Sequence, residues 1–528
     1  MKHGPLRLLP LLPLLPLTAA AQKSAPHPTL VVVITVDQMR ADYLDRFGAQ
    51  FTGGLARLRS GGAVFVNGFQ DHAVTETAPG HATVLSGRFP RSTGIVSNAL
   101  GVLDPQAPVI GGGAPPASPF RFRGSVLFDW MRVADQRSRA LSVSRKDRGA
   151  ILPMGRAHQN VYWYAADGRF STSTYYADTL PDWVRAFNAR GLARQYAGKA
   201  WTLVRPESAY QERDSVAVEN GGRDIAFPHL APADSAMAAR ILPNYPWMDD
   251  LTLQFALEGV ERLQLGAGPA TDLLAVSLST TDAVGHAYGP DSRELHDQIL
   301  RLDQMLGTFF DQLFALRDSG SVIVALTADH GVTSYPEVYH ALTGGDAGHV
   351  DLAPVIQNVQ AGLAARGVDT AAFWFDDGPL FLNRAVLERA GVRPDSVVAR
   401  FASAVRAVPG VARVDRMEAL AKQDTVKDAV ARRWSHMYPP EQSVELVVTL
   451  KPHYVWGGLP IAMHGQPSDD DSHVPMVFYG APFKRGAYQE RARVVDLAPT
   501  LAAALGIWPT ERVDGRVLRA ALRSARPD

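Results

Sequence analysis

Strongly apolar runs, each followed by an acidic residue, recur along the chain. Such runs are typical of strands that are buried on both faces of a parallel sheet. Three of them are followed by Asp37, Asp282 and Asp329; they are Thr29–Val36, Asp272–Thr281 and Ser321–Ala328. Val474–Tyr479 is a fourth candidate strand. Val444–Leu450 alternates more and is predicted to be an edge strand or a strand of an insertion.

Helical periodicity separates these runs. Apolar residues keep a helical period between Ile299 and Leu313, and Leu497–Leu505 is a second predicted helix. Strands that alternate with helices indicate an α/β fold. We therefore predict a mostly parallel central sheet with helices on both of its faces.

Two long regions break this alternation. The stretch from about residue 100 to 245 is rich in glycine, proline, arginine and aromatic residues, and it is too long for a loop. A second stretch, from about residue 352 to 460, contains helical segments such as Pro394–Val408. We predict that both are insertions in one catalytic domain and that they form cap regions.

The N-terminus has the pattern of a secretory signal peptide. Lys2 and Arg7 precede the apolar run Leu8–Leu17, and small residues follow at Thr18–Ala21. The alternative is a disordered or lipid-anchored tail, but the chain has no cysteine to carry a lipid. We predict a signal peptide over residues 1–21, a catalytic domain over residues 22–528, and a periplasmic or secreted location. No later stretch reaches about 18 uninterrupted apolar residues, so no membrane span is expected.

Composition narrows the chemistry. The 528 residues include 53 basic and 53 acidic side chains, so the charge balance does not favour a nucleic acid as a stable partner. The chain has no cysteine, which excludes thiolate zinc sites and a cysteine nucleophile. Any bound metal must therefore be held by histidine, carboxylate or hydroxyl groups.

Acidic and histidine residues cluster where the predicted strands end. Ligands of open α/β sheets bind beyond the carboxyl ends of the strands, so Asp37, Asp282 and Asp329-His330 are expected to converge there. His286 follows Asp282 by four residues, and His464 stands in a glycine-rich segment. A single such aspartate is more often a helix cap or turn former. The coincidence at several strand ends favours a metal site, and a sulfur-free set suits Zn²⁺, with Mn²⁺ or iron as alternatives.

A candidate nucleophile lies in the segment Thr75–Thr83. Pro79 and the apolar residues after it predict a helix that begins here, because proline is favoured in the first helical turn. Thr77 would stand just ahead of that helix, where free N–H groups favour a developing anion. A helix cap is the plainer role for Thr77, and Thr75 is the rival nucleophile.

In order and spacing, these residues together resemble the alkaline phosphatase superfamily. The resemblance rests on Asp37, Thr77–His81, Asp282 with His286, Asp329 with His330, and His464 with Gly465. It spans nearly the whole mature chain. It is closest to the bacterial periplasmic alkaline phosphatases that use a threonine nucleophile, and more remote to nucleotide pyrophosphatase/phosphodiesterases. The implied activity is hydrolysis of phosphate monoesters through a covalent phosphothreonine on Thr77.

The resemblance also implies the ligands of two Zn²⁺ ions. One ion would be held by Asp282, His286 and His464, and the other by Asp37, Asp329, His330 and the hydroxyl oxygen of Thr77. His473 is the alternative to His464, which is preferred because it carries the His-Gly pair of the family.

Three further residues are implied to bind the phosphate, namely Asn98, Lys146 and Arg148. In the threonine-type phosphatases, matching side chains hold the non-bridging oxygens, where a diester would carry its second substituent. A forked guanidinium and a point-charge ammonium suit a phosphate dianion. A solvated charge cluster is the alternative for Lys146 and Arg148. The expected partners are small phosphate monoesters, and the choice between monomer and weak oligomer stays open.

Other functions remain open on the same residues. A phosphodiesterase or nucleotide pyrophosphatase would use the same metal core, although Lys146 and Arg148 argue against it. A sulfatase is disfavoured because no cysteine can become formylglycine. A secreted metal-dependent binding protein without catalysis is the remote alternative.

Overall fold

The computed structural model describes residues 27–420, 422–458 and 461–523, together with Met1 and Gly4. The predicted signal peptide, residues 1–21, lies outside the described residues apart from those two positions. Searching the described part of the chain finds no helix with the length and apolar content needed to cross a bilayer.

The strands are numbered β1 to β17 along the described chain. They are β1 Leu30–Val36, β2 Ala63–Phe69, β3 Ala140–Ser144, β4 Asn160–Tyr164, β5 Phe170–Ser171, β6 Ala200–Trp201, β7 His229–Leu230, β8 Asp272–Leu278, β9 Val322–Thr327, β10 Gly348–Val350, β11 Phe373–Phe375, β12 Pro379–Leu382, β13 Val411–Arg416, β14 Val444–Leu450, β15 Tyr454–Trp456, β16 Met476–Tyr479 and β17 Gly486–Arg493.

The α-helices are numbered in the same way. They are α1 Tyr43–Arg46, α2 Gly54–Gly61, α3 Thr77–Val84, α4 Pro90–Thr93, α5 Leu127–Ala134, α6 Asp147–Ile151, α7 Asp182–Ala189, α8 Ser235–Ile241, α9 Trp247–Arg262, α10 Thr280–Tyr288, α11 Arg293–Leu316, α12 Pro336–Thr343, α13 Ala353–Ala364, α14 Arg384–Arg389, α15 Pro394–Arg406, α16 Met417–Leu420, α17 Ala429–Ser435, α18 Asp469–Ser472 and α19 Leu497–Leu505.

A nine-stranded sheet forms the centre of the fold, in the order β17-β2-β16-β9-β1-β8-β3-β4-β5. Strand β1 lies between β9 and β8 and runs parallel to both. All seven residues of β1 are buried, as are those of β8. An uninterrupted apolar run is what a strand covered on both faces requires. The prediction of a mostly parallel α/β sheet surrounded by helices is confirmed.

Strand β16 differs from the parallel pattern that was expected of it. It pairs antiparallel with both β9 and β2, and Met476 lies opposite Thr327 at the carboxyl end of β9. The chain reaches β16 from the segment that contains His464 and His473, which already lies at that edge of the sheet. The strand can therefore only run back towards the opposite edge.

The first predicted insertion, about residues 100–245, is not wholly a cap. Strands β3, β4 and β5 lie within this stretch and extend the central sheet beyond β8. The glycine- and proline-rich composition concealed them because they are only two to five residues long.

The second predicted insertion, about residues 352–460, contains a separate four-stranded antiparallel sheet in the order β11-β12-β14-β13. Val444–Leu450 is thus an inner strand of the insertion sheet. Helices α13 and α15 pack with this sheet around their own apolar core. A further cluster joins the insertion to the main body, where Trp434 and Met437 pack with Ala73 and Val74. The exact bounds of the insertion stay a prediction.

A buried carboxylate, Asp71, ties the insertion to the edge of the central sheet. Arg432 of α17 donates to both of its oxygens at 3.0 and 3.1 Å, and Arg491 of β17 donates at 3.0 Å. The Asp71 side chain is 1% exposed. Burial alone would raise its pKa, but the neighbouring Arg432, His436 and Arg491 outweigh burial and lower the pKa.

We predict that Asp71→Ala lowers the free energy of unfolding by about 3 kcal/mol, because the partner cations lose a buried counter-charge. Asp311→Ala is the matched control, since Asp311 forms an exposed pair with Arg57 at 2.6 Å and should cost less than about 1 kcal/mol. Chemical denaturation of the purified variants measures both. Equal losses in the two variants would contradict a special role for Asp71.

The same network predicts a pH dependence. The folded pKa of Asp71 is below the unfolded one, so its stabilisation is present above the unfolded value and is lost as the pH falls through the folded pKa. The stability difference between wild type and Asp71→Asn should therefore shrink between about pH 6 and about pH 3. A difference that stays constant over this range would show that the carboxylate charge is not what holds the insertion.

Candidate active and metal-binding site

Three neighbouring strands deliver acidic residues to one edge of the central sheet. The register pairs Val36 of β1 with Leu278 of β8, and Thr35 of β1 with Thr327 of β9. The strands therefore end side by side. The residues that follow them, Asp37, Asp282 and Asp329-His330, meet at the carboxyl edge, as the sequence predicts.

The first acid–histidine group consists of Asp282, His286 and His464. One ligand atom from each lies within 4.8 Å of the others. Asp282 and His286 are one turn apart on α10, and His286 Nε2 lies 3.3 Å from Asp282 Oδ1. His464 reaches the group from a distant segment, and its Nε2 lies 3.2 Å from His286 Nε2.

The second acid–histidine group consists of Asp37, Asp329 and His330. Its ligand atoms also lie within 4.8 Å of one another. His330 Nε2 is 3.6 Å from Asp37 Oδ1 and 3.6 Å from Asp329 Oδ2. All three side chains are fully buried, whereas the His286 side chain of the first group is 30% exposed.

Backbone carbonyls fix the orientation of all three histidines. Nδ1 of His286 lies 2.9 Å from the Ala462 oxygen, Nδ1 of His330 lies 2.9 Å from the Gly331 oxygen, and Nδ1 of His464 lies 2.7 Å from the Thr75 oxygen. A carbonyl can only accept, so each Nδ1 carries the hydrogen. Each Nε2 is then left with a lone pair, which is the arrangement that metal-binding histidines use.

The unpaired polar atoms of the second group are those that a cation would contact. Among the described residues, Asp37 Oδ1 and His330 Nε2 are buried without a hydrogen-bond partner. Asp37 Oδ2 and Asp329 Oδ2 are each approached by a basic group, Lys146 Nζ at 2.7 Å and His81 Nδ1 at 3.0 Å. Buried carboxylates are costly unless they are paired or coordinate a metal. The donor set of carboxylate oxygens and imidazole nitrogens fits a borderline divalent metal such as zinc.

The protonation states of two members of the first group, His464 and Asp282, suit metal binding. Burial, together with the nearby His330 and His286, holds the pKa of His464 well below its usual value, so its imidazole is neutral. Burial opposes ionisation of Asp282, but the charges of Lys146 and His286 hold its pKa well below the usual range. Ligands must be deprotonated to bind a metal, and both residues meet this condition.

Lys146 connects the two groups to the candidate nucleophile. Its Nζ lies 2.7 Å from Asp37 Oδ2 and 2.7 Å from Asp282 Oδ2. The same ammonium donates to Thr77 Oγ1 at 3.3 Å. Thr77 is the first residue of α3 and not the residue ahead of it, because Glu76 occupies the cap position. The plainer role of Thr77 as a helix cap is therefore wrong.

Asn98 lies beside the start of α3. Its Oδ1 accepts from the Ala78 backbone N–H at 2.9 Å, and its own N–H donates to Glu76 Oε2 at 2.6 Å. Asn98, His286 and His464 line the same cavity of about 250 Å³, which we name the site cavity. The insertion contributes Asp376, Asp377, Tyr438, Tyr454, Val455 and Trp456 to its walls.

Arg148 is close to the site but is not brought into contact with Thr77. Its Nη1 lies 3.6 Å from Asp147, and its Nε is buried without a hydrogen-bond partner in the described part of the chain. Burial raises the pKa of Glu76, and the charge of Arg148 is among those that oppose the rise. Arg148 therefore approaches the segment that precedes the nucleophile.

The two rival residues occupy supporting positions. His473 lies with its Nε2 2.8 Å from the Val66 oxygen and its ring stacked on Phe69, so it belongs to neither acid–histidine group. Thr75 turns its hydroxyl to the Gly465 N–H at 3.0 Å and donates to the Gln466 oxygen at 3.1 Å. Thr75 thus fixes the segment that carries His464.

Three residues at the site were not singled out in the sequence. Gln38 donates from its backbone to Asp329 Oδ1 at 3.0 Å and from Nε2 to Asp282 Oδ1 at 3.1 Å, so it links the two groups. His81 Nδ1 lies 3.0 Å from Asp329 Oδ2. Arg145 Nη2 lies 3.5 Å from Asp282 Oδ2. Gln38 and Arg145 each stand next to a predicted site residue in the sequence, and His81 lies in the segment Thr77–His81. These positions were the features of the sequence that could have indicated them.

Comparison with known proteins gives relatives along nearly the whole chain. This chain is 30% identical to the alkaline phosphatase PhoV of Synechococcus elongatus, over 94% of its own length and 93% of the relative. It is 31% identical to a protein of Myroides odoratus named calcium-transporting ATPase, over 92% of this chain and 93% of the relative. The crystal structure of alkaline phosphatase PafA superposes with a TM-score of 0.86 at 27% identity, over 95% of this chain and 100% of that one.

The fold and the paired acid–histidine groups thus define an enzyme of the alkaline phosphatase superfamily, and the resemblance found in the sequence is confirmed. The chain belongs to the type I phosphodiesterase/nucleotide pyrophosphatase family, whose model matches residues 31–347.

We predict that each acid–histidine group binds one metal ion and that His464→Ala removes the ion of the first group, because this group then keeps only two ligands. His473→Ala is the matched control, since this histidine lies outside both groups, and it should keep the wild-type metal content. Elemental analysis of the purified, desalted proteins measures the metal-to-protein ratio. Loss of metal in His473→Ala, with retention in His464→Ala, would reverse the assignment.

A second prediction concerns Gly285, which leaves space for Gln38. A Cβ at Gly285 would overlap Gln38 Oε1, so Gly285→Ala should push the amide away from Asp282. We expect metal affinity to fall about tenfold, as for other changes to groups that orient a metal ligand. Chelator competition measures this.

Gly362→Ala on α13 is the control for the alanine itself, because its Cβ would meet only Arg400 Nη1 at 3.6 Å. Gln38→Ala should weaken metal binding in the same way as Gly285→Ala. Unchanged affinity in both Gly285→Ala and Gln38→Ala would mean that Gln38 does not orient Asp282.

Proposed function

We propose that this enzyme hydrolyses phosphate monoesters through a covalent phosphothreonine on Thr77, with two Zn²⁺ ions held by the two acid–histidine groups. The observation that carries the proposal is the position of Thr77. Its buried hydroxyl lies at the start of α3, 3.3 Å from an ammonium that also contacts Asp37 and Asp282 of the two groups. The named alkaline phosphatases among the relatives support it.

One ion would be held by Asp282, His286 and His464, and the other by Asp37, Asp329 and His330, with the Thr77 oxygen beside the second set. When bound, such ions supply Lewis acidity that stabilises negative charge on the attacking and departing oxygens. His81 and Gln38 support Asp329, and Gln38 also supports Asp282.

Thr77 is the nucleophile in this proposal. Its Oγ1 gives up its proton to solvent and attacks phosphorus in line. The new O–P bond forms, the bond from phosphorus to the departing oxygen breaks, and that oxygen takes a proton from solvent to leave as the alcohol. Lys146 favours the deprotonated oxygen because its ammonium donates to Oγ1. The start of α3 adds free N–H groups, which favour negative charge.

The non-bridging phosphate oxygens need donors, and three residues would provide them. Lys146 supplies a point charge, Arg148 a forked guanidinium and Asn98 an amide. Asn98 Oδ1 already accepts from Ala78, which turns the remaining donor groups of the amide away from that backbone. Arg148 has an unsatisfied buried Nε, so it has a donor available for an anion.

The second half of the reaction releases phosphate. Water attacks phosphorus from the side that the alcohol has left, the O–P bond to Thr77 breaks, and a proton lost by the water returns through solvent to Thr77 Oγ1. Two inversions give net retention at phosphorus. The burial of the site favours both steps of the reaction, because Thr77 is 1% exposed and Lys146 is 9% exposed. Electrostatic interactions are stronger where water is excluded.

A phosphodiesterase or nucleotide pyrophosphatase activity is the second candidate, and the family model that matches residues 31–347 is what favours it. Both activities would use Thr77 and the same metal groups. They differ in whether a second substituent of phosphorus or the ammonium of Lys146 occupies the remaining space. A periplasmic or secreted location for the enzyme stays part of the proposal.

Thr77→Ala should reduce turnover of p-nitrophenyl phosphate by about a thousandfold or more while the metal content persists, because the nucleophile is lost but the ligands remain. Thr77→Ser is the matched control and should keep much of the activity, since it retains the hydroxyl. Mass spectrometry of acid-quenched enzyme should find phosphate on Thr77 in the wild type. Full turnover in Thr77→Ala would exclude the covalent route.

Lys146→Ala separates the two candidate functions. We expect its kcat/KM for p-nitrophenyl phosphate to fall about a hundredfold, because a dianion loses a charged donor. The kcat/KM for bis-p-nitrophenyl phosphate should fall much less, since the diester carries a substituent in place of one charged oxygen. A wild-type enzyme that prefers the diester, with a Lys146→Ala variant nearly unaffected on the monoester, would favour the phosphodiesterase.

A further inference from the structure

A second cavity, of about 480 Å³, lies beside α12, and we name it the α12 cavity. Among the described residues, it shares none of its lining with the site cavity, and no member of the two acid–histidine groups lines it. Its volume is in the range of small-molecule pockets. The α12 cavity is therefore a candidate binding site that is separate from the metal and nucleophile residues.

Part of the wall of the α12 cavity is apolar. Val338, Ala341 and Leu342 lie on one face of α12, because residues three and four positions apart are neighbours on a helix surface. Residues 216–218, which are valine, alanine and valine, line the cavity as well. The Leu342 side chain is 63% exposed, so its apolar surface is accessible to a ligand. An alkyl chain in the cavity would remove this surface from water, which is favourable.

Four acidic residues also line the α12 cavity, and three of them already have a polar partner. These three contacts are Glu212 Oε2 to His296 Nδ1 at 2.9 Å, Asp291 Oδ2 to Ser334 Oγ at 2.5 Å, and Glu337 Oε1 to His349 Nε2 at 2.9 Å. The fourth acid, Glu219, is 2% exposed, and its Oε2 has no hydrogen-bond partner in the described part of the chain. A buried polar atom without a partner is costly, so a donor from a ligand would be favoured at Glu219.

The protein does not itself supply a cation to Glu219. Burial and the charges of Glu294 and Asp214 raise the pKa of Glu219 to about 9, and no neighbouring cation offsets this rise. Two arginines line the same cavity, but Arg46 is paired with other carboxylates and Arg213 is exposed. A positive charge placed next to Glu219 would lower its pKa and restore the carboxylate. The missing partner is therefore a cation that comes from outside the chain.

We propose that the α12 cavity binds a small organic cation, a primary ammonium on an alkyl chain. The ammonium donates to Glu219 Oε2, and the alkyl chain packs against Val338 and Leu342. A calcium ion suits the cavity less well, because Ca²⁺ takes roughly six to eight oxygen ligands and this wall is partly apolar. An alkyl anion is disfavoured because it would meet the four acidic residues. The inference does not depend on the proposed phosphatase function.

Isothermal titration calorimetry with three probes tests the inference at about pH 9, near the pKa of Glu219. We expect hexylammonium to bind the wild-type protein about a hundredfold more tightly than methylammonium, because its longer chain leaves water. Hexanoate should not bind, since its charge has the wrong sign. Glu219→Gln keeps the shape of the side chain and should weaken hexylammonium binding about thirtyfold, because a charged acceptor is lost. Both acid–histidine groups are intact in this variant, so such a loss would also exclude the metal sites as the place of binding.

Glu337→Gln is the matched control, because it makes the same change at an exposed acid of the same cavity. It should alter the affinity for hexylammonium by less than about threefold. Ala341→Trp fills the apolar side from an exposed position of α12, where folding is less at risk, and should weaken binding about tenfold. Thermal unfolding of each variant checks that it is folded.

Three results would overturn the inference. They are no binding of hexylammonium to the wild-type protein, equal binding of hexanoate, and an affinity for hexylammonium that neither Glu219→Gln nor Ala341→Trp lowers more than Glu337→Gln does. Turnover of p-nitrophenyl phosphate is not needed for any of these measurements, so the proposed phosphatase function can fail while the α12 cavity is still found to bind the ammonium.

Discussion

Three carboxylates buried side by side are the constraint on which the rest of the structure depends. Asp37, Asp282 and Asp329 are at most 4% exposed, and each charge loses several kcal/mol of hydration when it is buried. A fold can hold them only if opposite charge is supplied at the same place. The ammonium of Lys146 supplies one positive charge, and metal ions held by the two acid–histidine groups would supply the rest.

The central sheet brings these three carboxylates together. Parallel strands β9, β1 and β8 end together, so acids that are nearly 300 residues apart in sequence come within contact distance. Helix α10 then places His286 one turn after Asp282, and α3 begins with Thr77 facing the same charges. The chemistry is thus a direct result of strand register and of two helix starts.

Much of this arrangement could be predicted from the sequence. Strongly apolar runs followed by Asp37, Asp282 and Asp329 predict both the strands and the edge of the sheet at which these acids meet. The direction of β16 could not be predicted, because an apolar run does not indicate whether its strand lies parallel or antiparallel to its neighbours. The short strands β3 to β5 were concealed by turn-forming residues. The role of Gln38 depends on its left-handed backbone, with φ of 66°, which directs the side chain to Asp282 while the N–H reaches Asp329.

The insertion with its own sheet has a consequence for how such enzymes diversify. Its Asp376, Asp377 and Tyr438 line the site cavity, yet neither acid–histidine group contains a residue from β11 to β14 or from α13 to α17. Substitutions in the insertion can therefore reshape the wall of the cavity while the acid–histidine groups and Thr77 keep their geometry. The part of the cavity wall that the insertion supplies is therefore encoded in a different stretch of the chain from the acid–histidine groups, and it can change in sequence without altering them.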